Sequence, residues 1–133
     1  MENGYQLDIG TAGETYLGQS VSTITIRMPG NRPSVALNCG IHAREWISPA
    51  MCRLLVHELL RCSRDSNNCD PDILDTFYDF NWFMIPIVNW DGYNYTWASD
   101  RMWRKNRKPS DTCPGIDLSS IAYGRHVTPV FSN

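Results

Sequence analysis

Gly40–Ala50 reads GIHAREWISPA, and it joins two runs of different character. Before it, Ser34–Cys39 is apolar and strand-like. After it, Pro49–Arg61 carries Met51, Leu54, Leu55 and Leu59 at helical spacing, which predicts a helix with one apolar face. Ser48-Pro49 has the form of a helix start, with serine as N-cap and proline in the first turn. In an α/β fold a strand-to-helix turn offers side chains to a ligand, outside the carboxyl ends of the strands. His42 and Glu45 stand three apart in that turn. An imidazole and a carboxylate facing the same way are two of the protein ligands that a catalytic zinc uses. A bare H-x-x-E also fits a solvated turn with an ion pair to Arg44, so spacing alone leaves both readings open.

The flanking sequence supplies the rest of an α/β order. Val21–Met28, VSTITIRM, alternates in apolar character and predicts a strand, closed by the turn Pro29-Gly30-Asn31. Ser63–Pro71 is a polar break, and Asp72–Phe77 predicts a short helix with Asp70-Pro71 at its start. Asn81–Val88, NWFMIPIV, is apolar throughout and predicts a central strand, with Pro86 near its end or at a bulge. Strand, strand, helix, short helix, strand implies crossover connections. From Asn89 onward the chain is turn-rich. Tyr93, Tyr95 and Trp97 alternate there as packing along a strand edge would. His57 falls on the predicted helix as a surface or half-buried histidine.

Composition narrows the function classes. With 133 residues, 42% apolar, 20% charged and a net charge of −2, the chain is one ordinary domain without a global charge for nucleic acid or anionic membrane. Arg101, Arg104, Lys105, Arg107 and Lys108, interleaved with Trp97 and Trp103, are therefore not read as a nucleic-acid patch, and Lys105 and Lys108 read as a solvated charged face. No apolar run is long enough to span a bilayer, so no membrane partner is expected. MENGYQLDIGTAGET lacks the basic end and apolar core of a signal peptide. None of the five cysteines has C-x-x-C spacing, which argues against a structural zinc finger. Cys62 and Cys69 bracket SRDSNN and form either a short disulfide loop or two plain thiols. Cys39 is expected to be a small buried hydrophobe. Cys113 sits in a loop composition, and in an odd total its partner is expected outside this chain.

GIHAREWISPA resembles the H-x-x-E zinc motif, with its flanks, of the carboxypeptidase A/B family of metallocarboxypeptidases. Asn89–Arg107, NWDGYNYTWASDRMWRKNR, resembles that family's N-x-D-G-Y…T…R-x-W-R-K-x-R segment at the right distance downstream. The likeness runs from about Tyr5 to Leu118. It implies a partial catalytic domain over residues 1–118 and a divergent tail over 119–133. The fold implied is α/β: a three-layer αβα arrangement with a mixed, mostly parallel twisted sheet, present in part.

The function implied is removal of C-terminal residues from peptides and proteins with one Zn2+ ion, in an extracellular setting. No oligomeric state follows. His42 and Glu45 look like two zinc ligands. Arg104 resembles the arginine that polarises the scissile carbonyl and holds the oxyanion, a task suited to a permanent charge with donors fixed in a plane. Asp117, in GIDL, resembles the aspartate that hydrogen-bonds the first zinc histidine and so fixes its tautomer. Arg44 is similar to an arginine that contacts the peptide upstream of the cleaved bond.

The likeness also has departures. Where the family continues with an asparagine and an arginine for the substrate's terminal carboxylate, this sequence has Ser119 and Ser120. The family's third zinc histidine and its general-base glutamate are expected beyond Asn133, with His126 the in-chain candidate for a third ligand. The expectation is therefore a fragment of an enzyme with little or no activity by itself. The alternative is a non-catalytic, carboxypeptidase-like module that binds peptides or a partner.

Overall fold

The computed structural model describes residues 4–109. Strands β1 (Gln6–Glu14), β2 (Ser20–Arg27) and β3 (Ser34–Asn38) lead into helix α1 (Ile47–Arg64) and a 3-10 turn at Ser66–Asn68. Helix α2 (Pro71–Asp79), strand β4 (Asn81–Ile85) and helix α3 (Trp90–Ala98) follow. The strands form one sheet in the order β1-β2-β4-β3. The β3–β4 pair is parallel, and the β1–β2 and β2–β4 pairs are antiparallel. The sheet is thus mixed, as expected, but among the described strands its parallel part is confined to β3–β4. Connection length explains this. Thr15–Gln19 is short enough only for a hairpin, whereas α1 and α2 together form the long crossover that parallel neighbours require.

One face of the sheet is buried under that crossover. Ile26 of β2 is paired with Trp82 of β4, so both side chains point the same way. They meet Met84, Leu59 of α1 and Phe77 of α2 in a single buried cluster. Each such side chain contributes about 1.5–3 kcal/mol by leaving water.

The face that α1 presents differs from the periodicity reading. Cys52, Leu59 and Cys62 are buried, while Met51 and Leu54 are 54% and 51% exposed. The adjacent leucines at 54 and 55 fit two neighbouring faces, and packing selects the one that contains Leu55.

Helix starts divide between confirmation and correction. Asp70 caps α2, its carboxylate accepting from the Asp72 N–H at 2.9 Å, as Asp70-Pro71 led one to expect. Helix α1, however, starts at Ile47 with Trp46 as its cap residue, not at Ser48. The Ser48 hydroxyl accepts instead from the Gly40 N–H at 3.0 Å. The Tyr93–Trp97 stretch is helical rather than a strand edge, because Asn89 caps it and Asp91 lies in its first turn. Pro86 stands just after the end of β4, where its missing N–H breaks no ladder.

Two disulfides tie α1 at both ends. Cys62–Cys69 joins its last turns to the segment entering α2. Cys39–Cys52 joins the residue after β3 to its second turn, which corrects the reading of Cys39 as a lone hydrophobe. The helix doubles back along its own strand and brings the two Cα atoms to 6.3 Å. Closing loops of 13 and 7 residues contributes about 3 and about 2 kcal/mol in the chain-entropy account.

Candidate metal centre

Hydrogen bonding between β3 and β4 continues past the strand ends. The Cys39 N–H donates to the Ile85 carbonyl at 2.9 Å, Val88 to Cys39 at 2.9 Å and Asn89 to Gly40 at 3.0 Å. This pairing carries Gly40–Glu45 beyond the carboxyl ends of two parallel strands, the position at which such sheets bind ligands. Gly40 has φ +65°, and a Cβ there would lie 3.1 Å from Pro49 Cγ and 3.3 Å from Ile87 Cα, so only glycine fits. The chain then winds one turn, with the Glu45 N–H reaching the His42 carbonyl at 3.2 Å. His42 and Glu45 therefore project to one side. Nδ1 of His42 stands 3.0 Å from both Oε1 and Oε2 of Glu45.

Arg104 reaches the same point from the segment after α3. Its Nη2 lies 3.3 Å from Nδ1 of His42. Its carbonyl accepts from the N–H of buried Ala43 at 3.0 Å, so backbone joins the two segments as well. The Arg107 guanidinium lies 3.8 Å from the Tyr95 ring and 4.7 Å from the Trp103 ring, and Trp103 Nε1 donates to the Lys105 carbonyl at 2.6 Å. On the other flank, Arg101 grips both neighbours of Glu45. Its guanidinium sits 3.7 Å over the Trp46 ring and donates to the Arg44 carbonyl at 2.9 Å. Trp46 in turn stacks on Trp97 at 4.0 Å and donates to Thr96 Oγ1 at 2.9 Å.

The donor set suits a cation between His42 and Glu45. Two ligands on one tetrahedral zinc, with bonds of about 2.0–2.2 Å, are themselves about 3.3–3.6 Å apart. The observed separations of 3.0 Å are a few tenths of an ångström shorter, so a small opening of the pair would admit the ion. Among the described residues no group of three histidine, cysteine, aspartate or glutamate side chains converges, so they fit two ligand positions and not a complete set.

The remaining sequence-predicted site residues are placed as follows. Arg44 is exposed in the same turn. Asp117, Ser119, Ser120, His126 and Cys113 lie outside the described residues. His57 is exposed on α1, with Nδ1 3.1 Å from Glu58. Arg61 first and His57 second hold the Glu58 carboxyl below its ordinary pKa, so this is a helix-surface cluster. Sequence reasoning missed Asn89 and the Trp46–Arg101 pair as site supports. An asparagine three residues before a glycine at a helix start was the available sign of Asn89.

Known proteins resemble this chain in sequence and in fold. Residues 5–124 match the zinc carboxypeptidase family. Carboxypeptidase B of Bos taurus is 39% identical over 123 residues, which is 89% of this chain and 28% of the bovine protein. Mast cell carboxypeptidase A of Rattus norvegicus is 43% identical over 95 residues, 70% of this chain and 22% of the rat protein. The crystal structure of thrombin-activatable fibrinolysis inhibitor superposes with a TM-score of 0.71 at 34% identity, covering 84% of this chain and 28% of that one. The chain thus spans less than a third of the length of these relatives. In sequence over nearly all its length, and in fold over the described part, the chain belongs to the zinc carboxypeptidase family.

Proposed function

We propose that this chain carries the metal-binding and carbonyl-binding part of a carboxypeptidase centre acting on peptide and protein C-termini. One observation supports this above the others: both Glu45 oxygens and the Arg104 guanidinium lie within 3.3 Å of His42 Nδ1, at the ends of parallel strands. Zinc, when bound, supplies Lewis-acid activation of water and of the scissile carbonyl. His42 offers a neutral nitrogen and Glu45 a single negative charge. The pair thus leaves a dication with net positive charge. Arg104 supplies planar donors beside that position, where charge develops on the carbonyl oxygen. Arg44 is exposed in the same turn, which supports assigning it to the peptide upstream of the cleaved bond.

With two ligands and no third among the described residues, the 133-residue chain is expected to be weakly active or inactive alone. A chimera tests the reading. Residues 5–109 replace the matching segment of bovine carboxypeptidase B, and release of C-terminal residues is measured with and without chelator. The expected result is chelator-sensitive release that Glu45→Ala abolishes. A folded chimera that retains no zinc contradicts the reading. Two disulfides among the described residues support an oxidising, extracellular setting. No helix among the described residues is long and apolar enough to cross a membrane.

A further inference from the structure

Asn89 is buried beneath the site, 6% exposed, and touches both of its arms. Its Nδ2 donates to the Ile41 carbonyl at 3.2 Å and to the Lys105 carbonyl at 3.1 Å. Its Oδ1 accepts from the Gly92 N–H at 3.0 Å, and its own N–H donates to the Gly40 carbonyl at 3.0 Å. Ile41 immediately precedes His42, and Lys105 immediately follows Arg104. The side-chain amide is suited to this task because it has two N–H donors and an acceptor on one short stem. Aspartate caps a helix as well as asparagine does but has no donor; serine caps and cannot span two carbonyls.

Gly92 completes the arrangement. A Cβ there would lie 2.5 Å from the Lys105 carbonyl oxygen and 2.6 Å from Asn89 Nδ2, so glycine lets the Arg104 segment close onto the first turn of α3.

We infer that Asn89 is a positioning residue that ties the His42 turn to the Arg104 segment and fixes the imidazole–guanidinium separation. It acts through Ile41 and Lys105 rather than through contact with a ligand. Its functional meaning rests on the metal and carbonyl roles given above to His42, Glu45 and Arg104. The Ala43 N–H, which donates to the Arg104 carbonyl, is a natural reporter of whether the two arms are joined.

The experiment compares the 133-residue chain with its Asn89→Asp and Asn89→Ser variants, both of which keep a helix-capping oxygen. Amide hydrogen exchange is read at Ala43, at Gly92 and Tyr93 in the capped turn, and across β2 and β4. In both variants Ala43 should exchange at least about tenfold faster, while Gly92, Tyr93 and the sheet keep the parent's protection. Unchanged protection at Ala43 overturns the inference, and so does a loss spread evenly over the sheet. Zn2+ is then added to all three proteins and the His42 imidazole signals are followed. Variants needing about tenfold more metal than the parent support the positioning role. A parent whose His42 signals ignore Zn2+ overturns the metal reading itself, and the exchange result then judges Asn89 independently.

Discussion

Nδ1 of His42 lies 3.3 Å from the Arg104 guanidinium and 3.0 Å from the Glu45 carboxylate. An arginine only donates and a carboxylate only accepts, so neither tautomer of the imidazole matches both contacts. Protonated at Nδ1, His42 suits Glu45 and opposes Arg104; unprotonated there, the reverse holds. His42 and Glu45 would resolve the conflict by holding a cation, to which both offer lone pairs, and the Arg104 donors would serve the carbonyl oxygen that the proposal assigns to them. In the bovine chimera, Arg104→Ala should therefore lower kcat by about 10²–10³-fold with little change in KM, measured by steady-state peptide hydrolysis. A rise in KM at unchanged kcat would assign Arg104 to ground-state binding instead.

The Arg101 clamp makes a separate prediction. Arg101→Ala removes a stacked cation from Trp46 and a donor from the Arg44 carbonyl, one on each side of Glu45. Denaturant unfolding should show a loss of about 1–2 kcal/mol. Arg101→Lys should recover less than half of it, because an ammonium does not reproduce the flat stack. Full recovery by lysine would reduce the clamp to simple charge.

Gly92→Ala tests how closely the Arg104 segment sits on α3. The added methyl meets the Lys105 carbonyl oxygen at 2.5 Å, a distance no relaxation of a flexible side chain relieves. Although alanine favours helices, the variant should be less stable by about 1–3 kcal/mol. A stabilised variant in thermal unfolding would show that the contact is looser than drawn.

The Cys39–Cys52 bridge anchors the start of the His42 turn to α1. Replacing both cysteines with serine should cost about 3 kcal/mol in denaturant unfolding, with the same secondary structure by circular dichroism. A loss under about 1 kcal/mol would mean that the unfolded chain is already constrained there.

Much of this arrangement was legible in the chain. GIHAREWISPA showed His42 and Glu45 at a strand end because glycine, a buried strand and a following helix leave plain local marks. The short helix at Asp70-Pro71 and strand β4 were legible for the same reason, although the strand ends at Ile85 and not at Val88. Strand β1 was not, because Gln6–Glu14 is largely exposed and interrupted by Gly10 and Gly13, so it lacks a clean alternation. Helix α3 was hidden by Tyr93, Tyr95 and Trp97, whose spacing mimics a strand. Its stability comes from the Asn89 cap and from Asp91, which is buried against the Thr15 hydroxyl at 2.7 Å and the Leu17 N–H at 3.0 Å. Those are tertiary contacts across more than 70 positions, which local pattern cannot report. The Cys39–Cys52 bridge and the two-carbonyl reach of Asn89 were illegible for that reason too.

The central claim is that His42 and Glu45 hold one metal ion jointly. Zn2+ titration of the 133-residue chain, followed by NMR at the His42 imidazole, addresses it directly. Tight saturation at one equivalent would bring in a third ligand from this chain, with His126 the histidine to substitute. The expected result is a weak, saturable shift of the His42 signals that disappears in Glu45→Ala and is reversed by chelator. His42 signals that stay fixed under excess Zn2+, or that respond equally without the Glu45 carboxylate, would contradict it.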